Sequence, residues 1–209
     1  MATRQQGNRI DSDSIVDSIS IGGGLIGGVL AYALGYGTIA IAKSDAIESA
    51  AGLFGLLSQF GGEIDYPAGW KLAGWMFYRA HNVDVLIDNS GTDSANPIPF
   101  TETVFWEPWF LAVPVIALLL VGAVLAYVTA TRSAMTGALA GVSVVLGYGL
   151  AAIAGVVVTG WSVSSEGVLR FEASAGPDLL TAVLLAGIAY PLVLGAIGGA
   201  IGGIIRGSR

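Results

Sequence analysis

The only histidine, His81, precedes Asp84 and Asp88 in the pattern H-x-x-D-x-x-x-D. One imidazole and two carboxylates on an outer helix are a partial ligand set for a divalent metal, and the same trio is the chain's nearest approach to an acid–base site. Zinc sites usually draw on more nitrogen or sulfur ligands, and the chain has no cysteine. The pattern therefore reads first as a surface histidine beside helix-cap or turn carboxylates. Asp88-Asn89-Ser90-Gly91-Thr92-Asp93 is vaguely like a calcium loop but lacks the acidic ligand set and the terminal glutamate. No serine sits in a G-x-S-x-G setting, and no P-loop occurs. Gly22-Gly23-Gly24 with Gly27-Gly28 is not a dinucleotide fingerprint, because no strand precedes it and it lies in an apolar stretch. The residues predict no catalytic group, no cofactor and no metal, hence a non-enzymatic protein.

The elements that would have to position any site are set by hydrophobicity. Hydrophobic residues make up 54% of the 209-residue chain and charged residues 11%, against roughly 25% charged in an ordinary soluble domain. No Asp, Glu, Lys, Arg or His falls between Ser18 and Ala42, Pro108 and Thr131, Ser133 and Ser165, or Leu179 and Ile205. Each block holds the ~20 apolar residues that span ~30 Å of hydrocarbon. Backbone amides in lipid must bond within their own segment, so the blocks are predicted helices. Barrel strands would be shorter and would alternate.

The expected fold is an all-α membrane protein, a four-transmembrane-helix bundle with a small outer cap. The spans are placed at 18–42, 109–130, 136–161 and 179–205. A tail covers 1–17, an outer loop or cap 43–108, an inner turn 131–135, a second outer loop 162–178 and a short tail 206–209. Gly176-Pro177-Asp178 reads as a helix start, a turn followed by a carboxylate at the N-terminus. A mid-membrane ionisable group would mark a transport path or proton relay. None lies in a span, which argues against a carboxylate-coupled carrier and leaves a passive pore open.

Positive residues favour the cytoplasmic side. Arg4, Arg9, Arg132, Arg206 and Arg209 fall on one side of a four-crossing chain. The other side holds every carboxylate except Asp11, Asp13 and Asp17, and both lysines. Both termini are therefore expected in the cytoplasm, in a multi-pass protein of the cell membrane. Ala40-Ile41-Ala42 resembles a signal cleavage site, but the apolar run exceeds a ~7–15-residue signal core, so the span is expected to be retained. The acidic tail disfavours nucleic acid as a partner.

Within the long outer segment, Ala46–Phe60 has apolar residues at helical spacing and reads as a short amphipathic helix on the surface or over the bundle. Val83–Ile87 and Gly167–Ala173 read as strands, which would build a small sheet from both outer loops. The outer cap is assigned to Trp70, Trp75, Tyr78 and His81. Trp106, Trp109 and Trp161 form an interface belt at the headgroup level, where an indole is apolar on its face and wet at its N–H.

Trp70-Lys71, Gly74-Trp75, Phe77-Tyr78 and Ala80-His81, set between a glycine-rich first span and three more spans, resemble an uncharacterised family of four-span membrane proteins from haloarchaea. That resemblance implies a membrane setting, no catalytic residues, and an acidic outer face suited to high salt. The layout of a long first outer loop, a short inner turn and a short second outer loop looks like the claudin plan, by analogy only, since the claudin cysteines are absent.

Much of the chain's 31 glycines lies inside the spans. Gly24 and Gly28, Gly137 and Gly141, and Gly195, Gly199 and Gly203 are spaced by four. Such stripes let helix backbones approach closely, within one bundle or between copies as a glycine zipper. Leu34-Gly35-Tyr36-Gly37 recurs as Leu146-Gly147-Tyr148-Gly149, which hints at a duplicated hairpin. The expected partners are the lipid bilayer and a homo-oligomer or membrane complex. The expected role is an assembly component of the cell envelope; the alternative is a small oligomeric channel or transporter component.

Overall fold

The computed structural model describes residues 21–61, 66–89, 95–99, 105–165 and 171–209. The 1–17 tail, positions 90–93 of the Asp88–Asp93 turn and positions 167–170 of the second-loop strand lie outside the described residues. Among the described residues, four helices are long and apolar enough to cross a membrane: α1 (Ile21–Ala42), α4 (Pro108–Val128), α5 (Ala134–Thr159) and α6 (Leu179–Gly207). Between α1 and α4 come α2 (Ser44–Gly61), α3 (Gly69–Arg79), β1 (Val85–Asn89) and β2 (Asn96–Pro97); β3 (Trp161–Ser165) and β4 (Phe171–Pro177) join α5 to α6.

Both loops at one end of the bundle contribute to a single antiparallel sheet of order β2-β1-β4-β3. Its register puts Val85 opposite Pro177 and Trp161 opposite Ala175. The chain is thus an all-α four-span fold with a small cap, and the sheet marks what we call the cap end. The other end, where α1 begins and α6 finishes, is the tail end.

Local chemistry bends and ends the spans. Pro108 opens α4 with a 3-10 turn to Leu111, where its missing N–H costs nothing. Ser143 interrupts α5, its hydroxyl donating to Ala140 O at 2.6 Å, a back-bond that bends helices. Asp178 accepts the Thr181 N–H at 2.9 Å and so caps α6. Residues Ala182–Ala189 of α6 are π-helical before the α-helix resumes at Tyr190.

The glycine stripes are spent inside the chain. A Cβ on Gly28 would collide with Tyr148 N and Val144 O of α5, one on Gly24 with Ser143, and one on Gly147 with Leu25 O. On the other side, Gly137 faces Gly199 O, Gly141 faces Gly195 O and Gly203 faces Ser133 O. Gly198 and Gly202 meet Leu119 and Ala123 of α4. Both faces of the α6 stripe therefore carry neighbours from the same bundle. Lipid offers little hydrophobic drive between helices, so close backbone approach and dispersion hold such contacts.

Candidate functional site

The α1–α5 contact is direct in the tail half and mediated in the cap half. There α3 inserts as a wedge. Phe77 packs into the space left by Gly35, whose Cβ would lie 2.7 Å from the ring, and meets Tyr32 edge-on at 5.0 Å between centroids. Gly74 lets the wedge approach Thr159 of α5, where a Cβ would stand 2.5 Å from the methyl. Met76, Phe77, Tyr78, Ala80 and His81 have no exposed surface.

Hydrogen bonds pin the wedge along its length. Tyr36 Oη donates to Trp70 O at 3.0 Å, and Lys71 Nζ to Gly160 O at 2.5 Å. Trp75 Nε1 donates to Thr159 O at 3.0 Å. Tyr78 Oη reaches Ala152 O and lies 3.0 Å from Tyr32 Oη. The contacts on α5 thus descend from Gly160 through Thr159 and Ala152 to Tyr148. At 1.5 Å per residue, α5 rises roughly 16 Å between Tyr148 and Thr159, about half of a ~30 Å hydrocarbon core. The wedge is a re-entrant half-helix, tolerated at depth because its backbone is buried in protein.

His81 ends it. Nδ1 is 2.8 Å from Phe77 O and Nε2 is 2.7 Å from Tyr148 Oη. A carbonyl only accepts, so Nδ1 carries the proton and Nε2 accepts from the tyrosine. Tyr190 of α6 stacks at 5.0 Å, tilted. Complete burial holds the imidazole's proton affinity below the usual histidine range, because desolvation disfavours the cation. Burial likewise pushes the Tyr78 hydroxyl up. Asn82, with φ 59°, then reverses the chain in the left-handed region that asparagine tolerates. The limb that follows, Val83 to Val85, returns to the cap, where Asp84 O accepts Asp178 N–H at 2.8 Å.

The chain belongs to DUF7978, a family of unknown function. That family's model matches residues 1–206. No curated protein and no solved structure matches the chain. With its four apolar spans, this member of the family is a multi-pass membrane protein.

Three sequence expectations need correction. His81 is not a surface residue: the sequence places it in a polar-flanked outer loop, but the loop folds back into the bundle. For the same reason Trp75, Tyr78 and His81 lie inside the bundle rather than on a cap; Trp70 alone of that set stays exposed at the rim. His81 is also not brought together with Asp84 and Asp88. Asp84 turns to Arg79 at 2.9 Å, and Asp88 sits in β1 opposite Ser174.

Trp106, Trp109 and Trp161 all stand at the cap end. Trp109 Nε1 donates to Glu107 Oε2 at 2.6 Å while Lys43 Nζ donates to Oε1. The Lys43 bond, then the Trp109 bond, hold the Glu107 carboxyl below its usual range. Tyr148, Tyr32, Tyr190 and Asn82 were not singled out as site residues from sequence. The repeated Leu-Gly-Tyr-Gly motif carried the signal for one: its two tyrosines, Tyr36 and Tyr148, grip the wedge at Trp70 and at His81.

Proposed function

We propose that this is a non-enzymatic component of the cell membrane that acts by assembling with other membrane polypeptides, its termini in the cytoplasm. The observation that carries this reading is a polar stripe on the returning limb. Val83 and Val85 are buried, while Asn82 and Asp84, alternate with them, are exposed. The Asp84 side chain is 56% exposed and its partner Arg79 27%. A lone bundle would present these groups to lipid beside spans whose exposed residues include Leu184 and Ile188. Polar groups in lipid seek protein partners. The one histidine is no candidate base, since both ring nitrogens are already engaged. The Arg132, Arg206 and Arg209 side chains support a cytoplasmic tail end, and the acidic cap end suits a high-salt exterior.

Chemical cross-linking in native membranes tests the reading. A discrete heavier species is expected; a chain that stays at its own mass across several linker lengths would refute assembly. A second reading, a channel or transporter component, draws support from the half-helix that stops at mid-depth and the π-helical segment of α6, features that recur at transport sites. Ion flux through reconstituted liposomes checks it. Gly199→Leu is unsuitable as the blocking variant, because Gly199 is closed against Gly137 and the substitution would break the fold.

A further inference from the structure

Asn82 sits at the lowest point of the re-entrant hairpin and is exposed. Its Nδ2 donates to Tyr190 Oη at 2.7 Å. That bond uses one amide hydrogen. The second hydrogen and Oδ1 have no partner among the described residues. An amide left so against hydrocarbon is costly. Something polar must meet it from the side.

The chemistry of the stripe narrows what that is. A carboxamide presents a donor and an acceptor in one plane, so it is complementary to a second carboxamide turned by two-fold symmetry. The neighbouring pair has the same property. Arg79 and Asp84 are opposite charges 2.9 Å apart; rotated by a two-fold, each faces the other's partner. Among the described residues of the spans, the exposed surface is rich in large apolar side chains such as Leu34, Ile116 and Leu120. Thr38 donates back to Leu34 O at 2.7 Å. A second copy can therefore satisfy Asn82 with its own Asn82, whose free donor and acceptor match.

Resting on the assembly reading above, we propose that the Arg79–Asn82–Asp84 stripe docks a second copy of this chain, with the two Asn82 amides paired across a two-fold axis in the membrane. Closed two-fold interfaces are the commonest in soluble homo-oligomers, and interhelical amide bonds are an established glue in bilayers. The glycine stripes play no part in the contact, since the bundle itself uses them.

The test compares full-length wild type, Asn82→Gly and Tyr190→Phe in lipid nanodiscs by native mass spectrometry. Glycine keeps the left-handed backbone and deletes only the amide, so the fold survives; phenylalanine removes the intramolecular bond and keeps the amide. Wild type and Tyr190→Phe are expected as dimers. Asn82→Gly should shift the equilibrium toward monomer by about tenfold, within the range of the two hydrogen bonds that the amide pair makes. A dimer that persists in Asn82→Gly, or is lost equally in Tyr190→Phe, would overturn the proposal. The absence of cysteine allows a second measurement: Asn82→Cys in native membranes, oxidised and run without reductant. A product at twice the chain mass supports the two-fold. A product with a different polypeptide sinks the self-docking proposal and leaves the assembly reading standing. No cross-linked product from wild type with chemical linkers or from the cysteine variant would remove both.

Discussion

His81 Nε2 and Tyr148 Oη lie 2.7 Å apart with neither residue exposed, and the bond has only one direction. Phe77 O holds the imidazole hydrogen on Nδ1, so the tyrosine must donate. Tyr148→Phe keeps the ring that fills the bundle and deletes the donor, leaving a buried acceptor unpaired. That loss should cost about 1–3 kcal/mol. Thermal or denaturant unfolding in a mild detergent reads it, and a variant as stable as wild type would show that the bond does not hold the wedge.

The same burial makes stability depend on pH. His81 lies outside the four spans in sequence yet is sealed between them, and its folded form is held neutral. In the unfolded chain it takes up a proton near pH 6.5. The sign follows from proton counting. Above about 6.5 both states are neutral at this site and nothing is lost. As pH falls below that value the unfolded state binds a proton that the folded state refuses, so stability declines. The slope is about 1.4 kcal/mol per pH unit until the lowered folded value is reached. Unfolding midpoints between pH 8 and 5 should fall for wild type below pH 6.5, and His81→Gln should lack this component. Equal slopes in the two proteins would place the acid sensitivity elsewhere.

Two glycines of α1 make a matched pair. A Cβ on Gly28 would strike the α5 backbone at Val144 and Tyr148, which has no side chain to yield; a Cβ on Gly37 would meet nothing within 4 Å. Gly28→Ala should therefore destabilise by about 3 kcal/mol or more through overpacking. Gly37→Ala should be neutral or stabilising by up to about 1 kcal/mol, since alanine is the better helix former. Comparing the two in one detergent cancels the common effect of the added methyl. A Gly28→Ala protein at least as stable as Gly37→Ala would mean that the α1–α5 contact is looser than the structure has it.

The four spans were legible because charge-free length is a one-dimensional property, and the bilayer demands it. The cap sheet was legible in part, because Val83–Ile87 alternates and ends in turn residues. The re-entrant wedge was not. Trp70–His81 carries Lys71 and Arg79 at its ends, and a window average reads such a stretch as surface. What decides its place is shape. Gly35, Gly74 and Gly155 leave room for Phe77, the Thr159 side chain and Tyr78, and nothing in the local hydrophobicity of 70–81 reports a cavity built by residues far away in sequence. The lone histidine misled for the same reason. Its partners Tyr148 and Tyr190 come from two other spans, so its environment could not be read from its neighbours.

The tail end of α4 offers a change that should stabilise. Ala130 has φ 60°, in the left-handed region. The backbone around it closes a Schellman motif: Thr131 N–H donates to Ala126 O at 3.2 Å and Ala130 N–H to Tyr127 O at 3.4 Å. Glycine is the usual residue at this position because a Cβ there crowds the following carbonyl, at roughly 1–2 kcal/mol. Thr131 Oγ1 adds a bond to Ala126 O at 2.8 Å, which helps hold alanine in the strained conformation. Ala130→Gly relieves the strain and leaves every one of these bonds in place, while adding some backbone entropy to the unfolded chain. The net gain should be about 0.5–1 kcal/mol, seen as a higher unfolding midpoint. Thr131→Ala should act in the opposite direction, and the double variant should recover most of that loss. If Ala130→Gly lowers the midpoint, the helix does not end in the left-handed turn.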